Sequence, residues 1–137
     1  ASNGTLTINV TNTDSDRNKN VYGITAGHSS GQTTGKIKFS GNAMVTINVE
    51  NQSLWEITSA GTIGIFAYDG ISFVDSANVN VNLTSSALGM TNGLVAINSS
   101  YDEFGILFDT TGDIILNNST PELSTYSELV KCTKVEN

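Results

Sequence analysis

Three carboxylates, Asp75, Asp109 and Asp113, are the residues of this sequence best suited to acid–base chemistry. Asp75 and Asp109 fall one position apart when segments 71–84 and 106–119 are aligned, and Asp113 lies four residues beyond Asp109. Two carboxylates about 5–9 Å apart can hydrolyse a glycosidic bond. Asp is also favoured in ordinary turns, where its side chain accepts backbone hydrogen bonds. The only arginine, Arg17, is distant in sequence, so we expect turn residues here and no catalytic residues.

Histidine and cysteine chemistry would each depend on a single residue. His28 is the only histidine and lies in a Gly/Ser-rich stretch, where we expect a solvated loop. Cys132 is the only cysteine, so an intramolecular disulfide is excluded and a thiolate metal site would lack partners. The sequence therefore predicts no metal site and no cofactor.

Two Tyr-Asp dipeptides, at 68–69 and 101–102, suggest a binding surface. A tyrosine supplies contact area and a neighbouring carboxylate supplies a directional hydrogen-bond acceptor, a combination that suits protein or glycan ligands. The alternative interpretation is that these tyrosines support turns. The candidate ligand-binding residues are His28, Tyr68, Asp69, Tyr101, Asp102 and Glu103.

A repeat of fourteen residues must position these candidates. Segments 37–50, 71–84 and 106–119 align without a gap, and Leu6–Val10 continues the second half of the same pattern. A spacing of 34 to 39 residues, counted along Ile8, Ile47, Val81 and Leu116, is typical of repeat architectures. The aligned columns include Ile37/Ile71/Ile106, Phe39/Phe73/Phe108, Val45/Val79/Ile114, Ile47/Val81/Leu116 and Asn9/Asn48/Asn82/Asn117.

Each repeat is expected to contain three strands, because short apolar segments with period-two alternation are separated by turn residues. The first strand carries Gly-Ile/Leu-x-Ala, at 23–26, 64–67 and 93–96. We predict an all-β, right-handed parallel β-helix (β-solenoid) of about three to four three-strand coils. Stacked phenylalanines would lie inside it and an asparagine ladder outside. The alternative is an antiparallel, pilin-like sandwich.

The pattern weakens after residue 119, so we divide the chain into β-solenoid coils at 1–119 and a C-terminal cap or tail at 120–137. Outward apolar residues Leu107 and Ile115 imply a cover over the last coil. Thr120 and Pro121 can begin a short capping helix, with Val130 on its apolar face. The alternative is another partial coil with Leu129-Val130 in its first strand.

Composition and charge exclude some partners. A net charge of −7 with only six Lys or Arg gives no basic face for nucleic acid. No apolar run is long enough to insert into a membrane as a helix. The chain begins at Ala1, so we expect a mature product or a fragment of something longer, with end-to-end continuation by further coils as one arrangement.

The Gly-Ile-x-Ala strands, the DSANVNVNL strand at 75–83 and the Asn/Thr/Ser/Gly-rich, Pro- and Cys-poor composition resemble bacterial autotransporter passenger domains. The resemblance covers roughly residues 4–119 and implies a right-handed β-helix at the bacterial cell surface or outside the cell. It implies a non-catalytic adhesin that binds an extracellular protein or glycan. The alternative function is a polysaccharide-active or carbohydrate-binding β-helix protein.

Overall fold

The structure is a computed structural model that describes residues 4–13, 20–27, 35–52, 61–85, 91–96, 105–119, 129–131 and 135–136. These residues form twelve strands and no helix. In chain order the strands are β1 (Thr5–Asn12), β2 (Val21–Ala26), β3 (Lys36–Phe39), β4 (Met44–Asn51), β5 (Thr62–Ala67), β6 (Gly70–Asp75), β7 (Asn78–Ser85), β8 (Thr91–Ala96), β9 (Ile106–Thr110), β10 (Ile114–Asn118), β11 (Val130–Lys131) and β12 (Val135–Glu136).

The strands form three sheets of four, and strands adjacent in a sheet are three apart in the chain. Sheet one is β1-β4-β7-β10, sheet two is β2-β5-β8-β11, and sheet three is β3-β6-β9-β12. Every recorded pairing between these strands is parallel. The all-β prediction is therefore confirmed, the parallel sheets are consistent with a β-solenoid, and the antiparallel sandwich alternative is wrong.

Residues that align in the sequence are paired in the sheets. Val45 pairs with Val79 and Val79 with Ile114, so one column of the repeat becomes one row of touching side chains. Parallel strands are spaced about 4.8 Å apart, which brings equivalent apolar side chains into direct contact. Ile47 and Val81 are fully buried in the core that results.

An aromatic stack runs through this core, as predicted. Phe73 is fully buried between Phe39 and Phe108, with ring centroids 5.2 and 5.4 Å away and interplanar angles of 6° and 11°. Register forces this near-parallel arrangement, because the three residues occupy one column of sheet three.

An asparagine ladder crosses the outward face of sheet one, also as predicted. Asn48 Nδ2 donates to Asn9 Oδ1 at 2.7 Å, and Asn82 Nδ2 donates to Asn48 Oδ1 at 2.8 Å. Asn117 Nδ2 donates in turn to Asn82 Oδ1 at 2.8 Å. Each amide in the middle of the ladder both donates and accepts, which fixes the register of the four strands.

Replacing Asn82 with alanine is expected to lower the free energy of unfolding by about 1–2 kcal/mol, because two amide hydrogen bonds are lost. Asn9→Ala is the matched control, since Asn9 makes a single bond in the ladder. Urea unfolding measures both. Equal losses for the two variants would contradict a cooperative ladder.

Sheet two departs from strict alternation at its glycines. The pairing of β2 with β5 joins Tyr22 to Ile63 and Ile24 to Ile65 but skips the glycines between them. Both Gly64 and Ile65 face the core, since a Cβ built on Gly64 would collide with Val81 and Ile65 is fully buried. The Gly-Ile or Gly-Leu pair repeated in each first strand therefore marks a local distortion of the ladder.

Both faces of β5 and β8 are buried. Ile63, Phe66 and Val95 form a second apolar cluster, separate from the main core, with exposed fractions of 7, 9 and 4%. Tyr22 packs against it edge-on, 5.5 Å from Phe66 at an interplanar angle of 71°. Sheet two is therefore covered on the side away from the core as well.

The C-terminal residues differ from the predicted capping helix. Val130, placed on the apolar face of that helix, lies instead in β11 and pairs with Leu94. The alternative that placed Val130 in a first strand is thus correct for this residue, while residues 120–128 and Cys132 lie outside the described residues. Ile115 is 46% exposed and Leu107 is half-buried. The cover expected over them falls mostly on residues outside the described ranges and stays a prediction.

Candidate functional site

Three of the connections that vary between repeats begin and end at one corner of the molecule, where sheet two passes into sheet three. We call this the loop corner and define it by residues 26–27, 35–36, 67–70, 96 and 105. Segment 28–34 leaves from Gly27 and returns at Gly35, and segment 97–104 leaves from Ala96 and returns at Gly105. At the same corner, β5 is connected to β6 by the short turn of Tyr68 and Asp69 alone.

Backbone hydrogen bonds hold the loop corner together. Tyr68 N donates to Ala26 O at 2.9 Å, and Asp69 N donates to Gly35 O at 2.8 Å. Ile71 N donates to Gly105 O at 3.1 Å, which joins the third segment to the same stack. The bases of the three connections at the loop corner are thereby held on adjacent strands of the stack.

Glycine is required at the base of the first segment for two separate reasons. Gly27 has φ of 84°, a left-handed conformation that side chains disfavour. Gly35 approaches the backbone of Ala26 so closely that a Cβ would collide with its carbonyl group. The segment 28–34 is therefore closed tightly at its base.

Asp69 is buried, with 7% of its surface exposed. Its Oδ2 accepts a hydrogen bond from Gly35 N at 2.8 Å, and its own amide donates back to the same glycine. A carboxylate held in this way orders the corner. Tyr68, the adjacent candidate, is half-buried.

The remaining candidate ligand-binding residues, His28, Tyr101, Asp102 and Glu103, lie outside the described residues. Their assignment to a binding surface stays a prediction. What the structure adds is the position of the described residues on either side of them, at the loop corner.

The three carboxylates considered for hydrolysis lie near the passage from sheet three to sheet one: Asp75 ends β6, Asp109 lies in β9 and Asp113 precedes β10. Asp75 adopts φ of 63°, and its Oδ2 accepts a hydrogen bond from Gly41 N at 2.8 Å. Asp75 occupies the same repeat position as Gly41, whose φ of 70° is also left-handed. The Asp75 carboxylate therefore stabilises the equivalent left-handed turn of the preceding repeat. Asp109 and Asp113 are exposed.

An open groove on the outward face of sheet one was not anticipated. It runs between the asparagine ladder and a second column that contains Thr11, Glu50 and Thr84. Glu50 accepts a hydrogen bond from Gln52 Nε2 at 2.7 Å. The signal for this groove is present in the sequence, since outward Asn and Thr alternate with inward Val and Ile.

Within the described ranges, no helix is long and apolar enough to cross a membrane. No group of three or more His, Cys, Asp or Glu that could hold a metal ion occurs in the same part of the chain. No family model matches the sequence, and neither the curated proteins nor the solved structures contain a significant match.

Proposed function

We propose that this chain is a non-catalytic segment of a bacterial adhesin, displayed at the cell surface or secreted. Its strands form a right-handed parallel β-helix of three-strand coils that serves as a scaffold. The loop corner carries the surface that binds an extracellular protein or glycan. The Asn/Thr/Ser/Gly-rich, Cys-poor composition and the repeat pattern, both similar to those of autotransporter passenger domains, support the location.

One observation carries the proposal. The three connections from sheet two to sheet three differ in length, and their described bases are joined at one corner by the hydrogen bonds of Tyr68, Asp69 and Ile71. Variable segments on a rigid framework are where proteins place recognition, because the framework fixes the bases while the loops differ in length and composition.

Within this surface Tyr68 and Asp69 have different roles. The Asp69 carboxylate is committed to Gly35 and nearly excluded from solvent, so it positions the corner. Tyr68 is half-buried and adjacent to it, which suits an anchoring contact by a side chain that is already partly ordered. Tyr101 is proposed as the second contact on the basis of its sequence position alone.

Arrays of glycans and extracellular-matrix proteins test this function. Wild-type protein is expected to bind, and Tyr68→Ala and Tyr101→Ala are each expected to weaken binding by roughly tenfold or more, as for an interface anchor. Thr7→Ala, an exposed change on sheet one, is the control and should leave binding unchanged. Binding that survives both tyrosine changes would exclude the loop corner as the site.

A further inference from the structure

Among the described residues, the first and last strands of each sheet pair with a neighbour on one side only, which leaves an open edge. At one end, which we call the leading end, the edge strands are β1, β2 and β3. At the other, the trailing end, they are β10, β11 and β12. Open edges of this kind are templates for pairing with a further strand.

The apolar columns of sheet one are incompletely buried at both ends. Leu6 on β1 is 49% exposed, whereas its column neighbours Val45 and Val79 are 7 and 1% exposed. Ile114 and Leu116 on β10 are likewise only partly buried. Another strand stacked in register on either edge would bury side chains that are now half in solvent.

The free backbone groups at the two ends have matching spacing. Met44 N donates to Gly4 O, so the even-numbered residues of β1 face β4 and the odd-numbered ones face the open edge. Val79 N donates to Asp113 O, so odd-numbered residues of β10 face β7 and even-numbered ones face outward. If β10 of one copy paired with β1 of the next in the repeat register, the even-numbered residues of β10 would face the odd-numbered residues of β1. Their backbone groups would then form hydrogen bonds in the same pattern as the strand pairs inside the chain.

The asparagine ladder has a direction, and its two ends are complementary. In every step the later strand donates Nδ2 to the Oδ1 of the earlier strand. Within the described chain this leaves the Nδ2 of Asn9 as the donor at the leading end and the Oδ1 of Asn117 as the acceptor at the trailing end. A trailing end can therefore continue the ladder onto a leading end, whereas two leading ends would place donor against donor.

We propose that two copies of this chain associate head to tail, with the trailing end of one copy pairing in register with the leading end of the next. The contact is heterologous, so it does not close on itself and permits longer linear assemblies. Its main stabilisation comes from strand addition and from burial of the end columns. This proposal does not depend on which ligand the loop corner binds.

The first test is analytical ultracentrifugation of the wild-type chain against concentration, with Thr7→Pro and Thr7→Ala. Thr7 N faces the open edge, so proline removes a donor to the next copy without removing one to β4. We expect reversible dimers and longer species for wild type and Thr7→Ala, and association weakened roughly tenfold or more for Thr7→Pro. A wild-type chain that stays monomeric, or a folded Thr7→Pro variant that associates normally, overturns the proposal.

A cross-linking experiment fixes the direction of stacking and does not require the proline variant to fold. Asn9→Cys and Asn117→Cys are made separately in a Cys132→Ser background and oxidised alone and mixed. In-register stacking places these positions about 4.8 Å apart, within disulfide range. We expect cross-linked dimers in the mixture only. Cross-links in Asn9→Cys alone, or none in the mixture, overturn head-to-tail stacking.

Discussion

Replacing Gly64 with alanine is expected to destabilise the protein by about 3 kcal/mol, at the upper end of what overpacking costs. A Cβ at this position would collide with the Val81 side chain and lie 2.7 Å from Gly93 O. One of these contacts is backbone in the next strand, so relief requires the sheet to move. Chemical denaturation with the wild type as reference measures the loss.

Gly4→Ala is the matched control, because no heavy atom lies within 4 Å of a Cβ built on Gly4. Its free energy of unfolding should change by less than about 0.5 kcal/mol. If Gly64→Ala were as well tolerated as Gly4→Ala, the close approach of sheets one and two would be wrong.

Replacing Phe73 with alanine is expected to cost about 3–5 kcal/mol, because it leaves a cavity in the middle of the aromatic stack. Phe73 is fully buried and contacts a phenylalanine on either side. The strand that carries Phe73, β6, is hydrogen-bonded to β3 on one side and to β9 on the other. The surrounding backbone can therefore move into the cavity only slightly. The midpoint and slope of a denaturant transition give the value.

Phe108→Ala provides the comparison, since Phe108 carries the same ring but is only partly buried and stacks on one side. Its loss should be clearly smaller than that of Phe73→Ala. Similar losses for the two variants would show that a phenylalanine in the middle of the column stabilises the fold no more than one nearer its end.

The repeat was sufficient to predict the register of sheet one and of β3, β6 and β9 in sheet three. Inward Val, Ile and Phe columns admit a single alignment, because a slip by one residue would expose the whole apolar face. Asn9, Asn48, Asn82 and Asn117 reinforce the same alignment from outside. These local signals agree with the overall arrangement, so the pattern could be interpreted without other information.

Sheet two was less predictable, because period-two alternation fails at its glycines. Gly64 and Ile65 both face the core, and Phe66 belongs to a second cluster on the other face. The all-apolar run Ile63 to Ala67 is typical of a strand buried on both sides, but such a run does not reveal what covers it. The capping helix predicted for Val130 was wrong for a related reason, because an i, i+3, i+7 apolar spacing over a short segment does not distinguish a helix from a strand.

The sequence predicted that Tyr68 and Asp69 connect a first strand to a second strand, and they lie between β5 and β6. Whether they form part of a binding site stays a prediction. The sequence did not reveal that Asp69 is buried, because a Tyr-Asp dipeptide in a loop carries no information about which neighbouring amide the carboxylate accepts. That partner, Gly35, is separated from Asp69 by 34 residues.

The central claim is that the repeat is scaffold and that recognition is confined to the loop corner. Amide resonances of isotope-labelled protein, followed during titration with the glycan or matrix protein that binds on the array, test it most directly. We predict that the amides of Gly27, Gly35, Tyr68 and Asp69 shift, while those of the asparagine ladder do not. Shifts confined to the outward face of sheet one, with an unchanged loop corner, would contradict the claim.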